Sequence, residues 1–569
     1  MSEILIKNGF VFDPVQGIKG DKKDIAIKDG VIVESVSSAA KVIDAAGMTV
    51  MAGGVDVHSH VAGAKVNVGR NFRPEDKLQA AYEPARGVRH MAGGNSVPTV
   101  FKTAYKYADM GYTTVMEAAM PPLYARHTHE EMRDTPIIDQ AALPLFGNNW
   151  FVLEYLRNGE LDNAKNYIAW LLNSTKGYGI KCVNPGGTEA WAWGLNCMTV
   201  NDQVPFFEIT PKQIVNGLLD VNEGLHLPHS LHLHGNNLGN PGNYTTTMDT
   251  LKIAEGKKTD NAFGRDTVLH HTHIQFHSYG GTTWADFESK GAEVMDYINK
   301  NDNLTCDIGF VTLDETTTMT GDGPFEYHLT ALNHLKWANT DVEVECGSGI
   351  VPYVYSKDVY VCGVQWSIGL EMALLAKDHM RCFLTTDHPN AGPFTRYPRV
   401  MKWLMSQDAR EDVLKTMKNE DKVRDRSTLS EIDRELTLYE IAQMTRAGPA
   451  KVLGLGGKVG GLKVGMQADI AVYPYNPETE SDPEQIEWAF SNAKYLIKSG
   501  EIIVNDGEIV SNGNKQTYWV NVETNPSKQV EHDLNEFFRK YYSVSRKNYE
   551  VDEHAFMKNP NVIKIDATQ

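Results

Sequence analysis

The chain has 569 residues, 41% of them hydrophobic and 9% aromatic, with a formal net charge of −18 and a pI near 5.5. That is material for one large barrel-type domain with a smaller companion, or for three average domains. The acidity excludes the basic footprint of a nucleic-acid binder, and no run of about 18 apolar residues could span a membrane.

Residues 3–50 alternate short β-rich runs with turn signals: "ILIKNGFVFD", "KKDIAIKDGVIVESV", "KVIDAAGMTVMAGG". "KNG" and "KDG" punctuate hairpins. The opening "MSEILIKNGFVFD" reads as a strand and lacks the basic and apolar regions of a signal peptide, so the cytoplasm is the expected compartment. The same texture returns in "GGLKVGMQADIAVYPYNP" (460–477) and "YLIKSGEIIVNDGEIV" (495–510). One small β-sandwich domain built from both ends, residues 1–52 and 456–515, is expected.

The segment between, 53–455, alternates strand-like runs with longer, helix-like ones such as 152–175, 208–223 and 286–301. This predicts an α/β fold with a parallel sheet, and the length suits a (β/α)8 barrel with loop insertions. The final segment, 516–569, contains "VEHDLNEFFRKYYSVSRK", which fits an amphipathic helix lying outside the barrel. The six cysteines, Cys182, Cys197, Cys306, Cys346, Cys362 and Cys382, contain no C-x-x-C pair. That argues against a disulfide framework and against an iron–sulfur cluster held by this chain alone.

Chemistry collects where barrel strands end. "GGVDVHSH" offers His58 and His60, two imidazoles on one strand face. "GIKCVNPGG" offers Lys181 inside an apolar strand. "LHLHGNN" offers His232 and His234; "LHHTHIQFHSYGG" offers His270, His271, His273 and His277; "FLTTDHPN" offers Asp387 and His388. Each alone has an ordinary structural explanation, such as a polar strand end or a turn. Together they make a ligand set of the kind divalent zinc takes. Lysine cannot ligate as an ammonium. Burial favours the neutral amine, which can react with carbon dioxide to give a bridging carbamate.

The order "VDVHSH … IK … LHLHGNN … THIQF … TTDHPN", closing in "TRAGPAKVLGL" and "GGLKVGMQADIAVY", resembles the amidohydrolase superfamily, in particular its dihydropyrimidinase-like members. More closely, "HVAGAKVNVGRNFRPED", "MGYTTVMEAAMPPLYARHTHEE", "GTEAWAWG", "HIQFHSYGGTTW" and "NAGPFTRYPRVMKWLMS" resemble the A subunits of formylmethanofuran dehydrogenase from methanogenic archaea. The resemblance implies two zinc ions held by His58, His60, Lys181 as N6-carboxylysine, His234, His273 and Asp387. His232 and His271, two residues before assigned ligands, become alternatives or supporting partners.

The same resemblance implies an amide reaction on an N-formyl group. Water attacks the carbonyl carbon, and Asp387 accepts its proton and returns it to the leaving amine. Run in reverse, formate condenses with the amine of methanofuran. Carbon dioxide reduction would fall to partner subunits carrying a tungsten or molybdenum pterin and iron–sulfur clusters, with formate passing internally between the sites. His277, Arg70, Arg73 and Arg396 are expected substrate contacts, with structural ion pairs an equal reading for the arginines. "HSYGG" and "DETTTMTGDG" read as polar, Gly-rich loops after barrel strands. Rival readings are a stand-alone cyclic-amide hydrolase of dihydropyrimidinase or hydantoinase type, the related A subunit of a bacterial formyltransferase/hydrolase complex, and a non-catalytic assembly protein.

Overall fold

The computed structural model describes residues 3–78, 81–342 and 346–568. Eight parallel strands surround the centre of the molecule: β1 (Gly54–Ser59), β2 (Tyr112–Met120), β3 (Asp139–Pro144), β4 (Lys181–Val183), β5 (Leu231–His234), β6 (Leu269–His271), β7 (Leu304–Asp307) and β8 (Cys382–Phe383). Two parallel sheets, β1–β2–β3 and β4–β5–β6–β7–β8, carry the regular ladders. Single parallel bridges at Leu145–Lys181 and Ser59–His388 join their edges, and the ring closes. Every residue of the eight strands is buried, as expected where helices cover the outside and side chains fill the inside.

Strands from residues 3–52 and 470–509 meet in one continuous nine-stranded sheet. Thr49–Ala52 pairs with Glu3–Asp13 on one side and with Ile470–Tyr473 on the other, stitching the halves together. Asp29-Gly30, Ser499-Gly500 and Asp506-Gly507 all take positive φ, which tight hairpin turns require.

Three segments depart from the sequence reading. The stretch 152–175 is two helices, Trp150–Arg157 and Leu161–Thr175, parted at Gly159 with φ 72. "DETTTMTGDG" is not a loop: Glu315–Thr320 is a strand, paired antiparallel with Cys346–Val354. Its run of β-branched threonines favours that conformation over a turn. "HSYGG" likewise contains a short strand, Tyr279–Gly280, paired with Glu288–Ser289.

In the C-terminal segment, helix Lys528–Tyr541 turns Val530, Leu534 and Phe538 inward. Phe538 packs against Phe151 and Trp170, with ring centroids 6.2 and 6.3 Å away. Beyond the expected helix, Thr517–Glu523 joins the edge of β3 and pairs in parallel with Pro560–Asp566. Among the described residues, no helix is long and apolar enough to cross a membrane.

Candidate metal centre

The end of β1 sets the site. Alternation puts His58 and His60 on one face, and each ring is held from behind at Nδ1. His58 Nδ1 lies 2.9 Å from His232 Nε2, and His60 Nδ1 lies 3.3 Å from Glu117 Oε1. Both Nε2 atoms then face one carboxylate oxygen: Asp387 Oδ1 is 2.9 Å from His58 Nε2 and 3.3 Å from His60 Nε2. Burial opposes charge on Asp387, yet the neighbouring His273 and His60 hold its carboxyl below the ordinary range. Asn390 Nδ2 donates to its other oxygen at 2.8 Å.

Lys181 enters from β4, fully enclosed, and its Nζ has no hydrogen-bond partner. Burial lowers its pKa to about 7, against the pull of Asp387 and Asp307. The neutral amine required for carbamate formation is therefore accessible. His234, at the end of β5, places Nε2 3.0 Å from Asp322 Oδ2, which leaves Nδ1 as its lone-pair atom. His273 follows β6, with its ring centroid 4.7 Å from that of His234 and 5.3 Å from that of His58.

His273 and Asp387 both sit in left-handed backbone, at φ 34 and φ 46. Such conformations are costly for non-glycine residues and collect at functional sites. Gly309 makes room for the first: a Cβ there would stand 2.5 Å from His273 Cβ.

The six expected ligands therefore line one buried space. Four of their polar atoms, His58 Nε2, His273 Nδ1, Lys181 Nζ and Asp387 Oδ1, are buried without a hydrogen bond. Ligand atoms of His58, His273 and Asp387 all lie within 4.8 Å of one another. Buried orphan atoms are costly, and here they are lone-pair donors facing one another. Two atoms each about 2.0–2.1 Å from one zinc ion stand roughly 2.9–3.4 Å apart, and the separations from Asp387 Oδ1 to the two Nε2 atoms fall in that interval. The donor set fits divalent cations with mixed imidazole and carboxylate ligands.

The other expected residues divide. His277 borders the cluster, its ring centroid 5.5 Å from that of His273, with both nitrogens buried and without a partner. His271 stands edge-on to His277 at 4.7 Å. His232 lies behind His58. The arginines are committed elsewhere. Arg70 Nη1 donates to Glu131 Oε1 at 2.6 Å and its Nε to Pro98 O at 3.0 Å. Arg396 Nε donates to Asp314 Oδ2 at 3.0 Å, and Arg73 Nη2 to Glu315 Oε2 at 2.7 Å. The ion-pair reading describes all three.

Three carboxylates absent from the expected site orient the histidines. Glu117 accepts from Val61 N and Ala62 N at 2.7 and 2.8 Å while facing His60. Asp307 accepts from His273 N at 2.9 Å and lies 3.0 Å from His270 Nε2. Asp322 caps helix Gly323–Asn333 while holding His234. Glu117 and Asp307 are acids on barrel strands, a visible signal; Asp322 reaches the site only through the folded excursion. Thr318, Thr320, Phe276, Phe325 and Tyr355 narrow the space above His234 and Asp387. Phe276, Phe325 and Tyr355 also wall a neighbouring cavity of about 270 Å³.

A family model described as amidohydrolase matches residues 41–504. The chain is 56% identical to "Protein FwdA" of Methanocaldococcus jannaschii, covering 100% of this chain and 99% of that one. It is 34% identical to the A subunit of the formyltransferase/hydrolase complex Fhc of Methylorubrum extorquens, covering 97% of each. A crystal structure of that FhcABCD complex with methylofuran superposes with a TM-score of 0.89 at 34% identity over 99% of each chain.

Proposed function

The chain belongs to the amidohydrolase family, and on that premise we propose that it makes and cleaves the formamide of formylmethanofuran as the A subunit of a formylmethanofuran dehydrogenase. The observation that carries this reading is the convergence of His58 Nε2 and His60 Nε2 on Asp387 Oδ1, whose charge also acts on the buried, unpartnered Lys181 Nζ. The full-length likeness to a component of a formyltransferase/hydrolase complex solved with methylofuran supports the substrate class.

His58, His60, Lys181, His234, His273 and Asp387 would hold two divalent cations, zinc by their donor chemistry. When bound, such ions polarise an amide carbonyl and lower the pKa of water. The chain's own groups do the rest. Lys181, whose burial makes the neutral amine available near pH 7, takes up carbon dioxide at Nζ and releases a proton, giving N6-carboxylysine. Asp387, ionised and held by Asn390, accepts a proton from the attacking water and passes it to the departing amine nitrogen. In the opposite direction it takes a proton from the attacking amine nitrogen and gives it to the departing oxygen, so that water leaves as formate condenses with the amine. Phe276, Phe325 and Tyr355 separate the centre from the adjoining cavity, limit water there, and offer ring faces to a furan.

Nothing in this reading moves electrons within the chain. Carbon dioxide reduction belongs to partner subunits carrying a tungsten or molybdenum pterin and iron–sulfur clusters, in the cytoplasm. The test is formate release from formylmethanofuran by the purified protein loaded with zinc and bicarbonate, set against hydantoin and dihydrouracil. Formate release with the ring amides untouched is the expected result. Turnover of the ring amides alone would replace this reading with that of a stand-alone cyclic-amide hydrolase.

A further inference from the structure

His58 heads a row of three imidazoles that ends on a peptide carbonyl. His58 Nδ1 is 2.9 Å from His232 Nε2; His232 Nδ1 is 2.8 Å from His229 Nε2; His229 Nδ1 is 2.9 Å from the carbonyl oxygen of Val452. All three rings are buried. A carbonyl oxygen only accepts, so His229 Nδ1 must carry hydrogen. A neutral imidazole has one N–H, so His229 Nε2 is bare and accepts from His232 Nδ1. His232 Nε2 is then bare in turn and accepts from His58 Nδ1. Each ring's tautomer dictates the next.

We infer that His229 and His232 are positioning residues that transmit the polarity of the Val452 carbonyl to His58, fixing its Nδ1–H tautomer so that its Nε2 presents a lone pair to the cation beside Asp387. This rests on the proposed metal centre and adds to it a cause for the orientation of its first ligand. Metal-bound imidazoles commonly donate their second N–H to an acceptor that sets ring orientation and basicity. Here the acceptor is itself an imidazole whose direction is fixed two rings away.

Three further observations support the relay. Burial lowers the pKa of His229 to about 3, so the ring next to the carbonyl is neutral. The carbonyl is placed by the "PAKVLGL" stretch, which the proposed chemistry otherwise leaves without a task. Gly454 stands there at φ 68, and a Cβ on it would fall 2.6 Å from the carbonyl oxygen of Pro228. Only glycine lets this turn lie so close to the residue preceding His229. Tyr178 Oη also donates to Leu453 O at 2.5 Å, pinning the peptide beyond Val452. Finally, Asp307 Oδ2 stands 3.6 Å from His58 Nδ1, a second acceptor on the side where the relay puts the hydrogen.

Neutron diffraction from the deuterated full-length protein reads the relay directly. Deuterium on Nδ1 of His229, His232 and His58, with bare Nε2 atoms on all three, is the expected pattern. Deuterium on His232 Nε2 or His58 Nε2 would overturn it, as would a metal ion seated among His58, His232 and Asp307, whose ligand atoms also lie within 4.8 Å of one another. The same pattern in a protein that binds no zinc would leave the relay standing and refute the metal centre instead.

Zinc affinity, measured by chelator competition, supplies the second arm. His229→Leu should weaken zinc binding about 10–100-fold. His229→Gln, whose amide oxygen can accept from His232, should restore most of it. Equal zinc affinity in His229→Leu and wild type would overturn the relay.

Discussion

Lys181 and Lys498 are both fully enclosed, yet their surroundings are opposite. Lys498 Nζ donates to Asp139 Oδ2 at 2.6 Å and to Asp469 Oδ2 at 3.3 Å. Gln516 N donates to the other oxygen of Asp139, and Ser499 N to that of Asp469, each at 2.7 Å. Burial opposes the charge, but the two carboxylates hold the ammonium above its ordinary range. This cluster fastens barrel strand β3, the small sheet and the C-terminal segment together. Lys181 has no such partner, and burial takes its pKa down to about 7. A satisfied buried ammonium is architecture; a buried amine left without a partner among lone-pair donors marks a candidate binding site.

Exchanging each lysine should separate the roles. Lys181→Ala should lower formamide turnover by at least about 10⁴-fold, the several kcal/mol assigned to metal-assisted chemistry, while chemical unfolding shows stability held or raised. Lys498→Met should do the reverse. Asp139 and Asp469 would lie buried against an apolar neighbour at a cost of about 3–5 kcal/mol, read in urea unfolding, while the folded fraction keeps its turnover. If Lys498→Met abolished turnover in fully folded protein, the division would fail.

A smaller effect tests the carboxylates that orient ligands. Asp322→Asn should weaken zinc binding about 10–100-fold, measured by chelator competition. An unchanged affinity would mean that Asp322 only caps its helix.

The two lysines also predict opposite pH slopes in metal-free protein. Lys181 has a folded pKa near 7, below its unfolded value near 10.5, so the unfolded state binds more protons between those limits. Stability should therefore rise with pH across that window. Below it the penalty for the buried ammonium is fully present. Lys498, raised above its ordinary value, contributes fully below about 10.5, and its contribution declines as pH rises through the folded pKa. Unfolding at pH 7, 8 and 9 should show the rise in wild type and lose part of it in Lys181→Met; parallel curves would contradict the assignment. Least of all, Arg396→Gln should change KM less than about twofold, because its guanidinium is spent on Asp314.

What the sequence made legible follows from what is local. H-x-H on a strand, a lysine in an apolar strand and an aspartate at a strand end are short-range patterns, and the fold brings all six expected ligands to one space. The hairpin grammar of the two ends likewise led to a shared sheet. Asp322 and His229 were not legible because their roles exist only across the barrel, with no spacing to mark them, whereas Glu117 carries the signal of an acid inside a barrel strand. "DETTTMTGDG" was misjudged because its Gly-Asp-Gly end suggested a turn, whereas the threonines before it pair with a strand about thirty residues on. The sequence left substrate contact and ion pair as equal readings for the arginines, since ion pairs with Glu131, Asp314 and Glu315 are tertiary facts.

The central claim is that the orphaned cluster around Lys181 is a metal–carbamate centre. A crystallographic map of the full-length protein grown with zinc and bicarbonate, with anomalous data at the zinc edge, tests it most directly. Two anomalous peaks among His58, His60, His234, His273 and Asp387, with a carboxyl group on Lys181 Nζ between them, are the predicted result. A bare lysine amine with no anomalous peak there would contradict it.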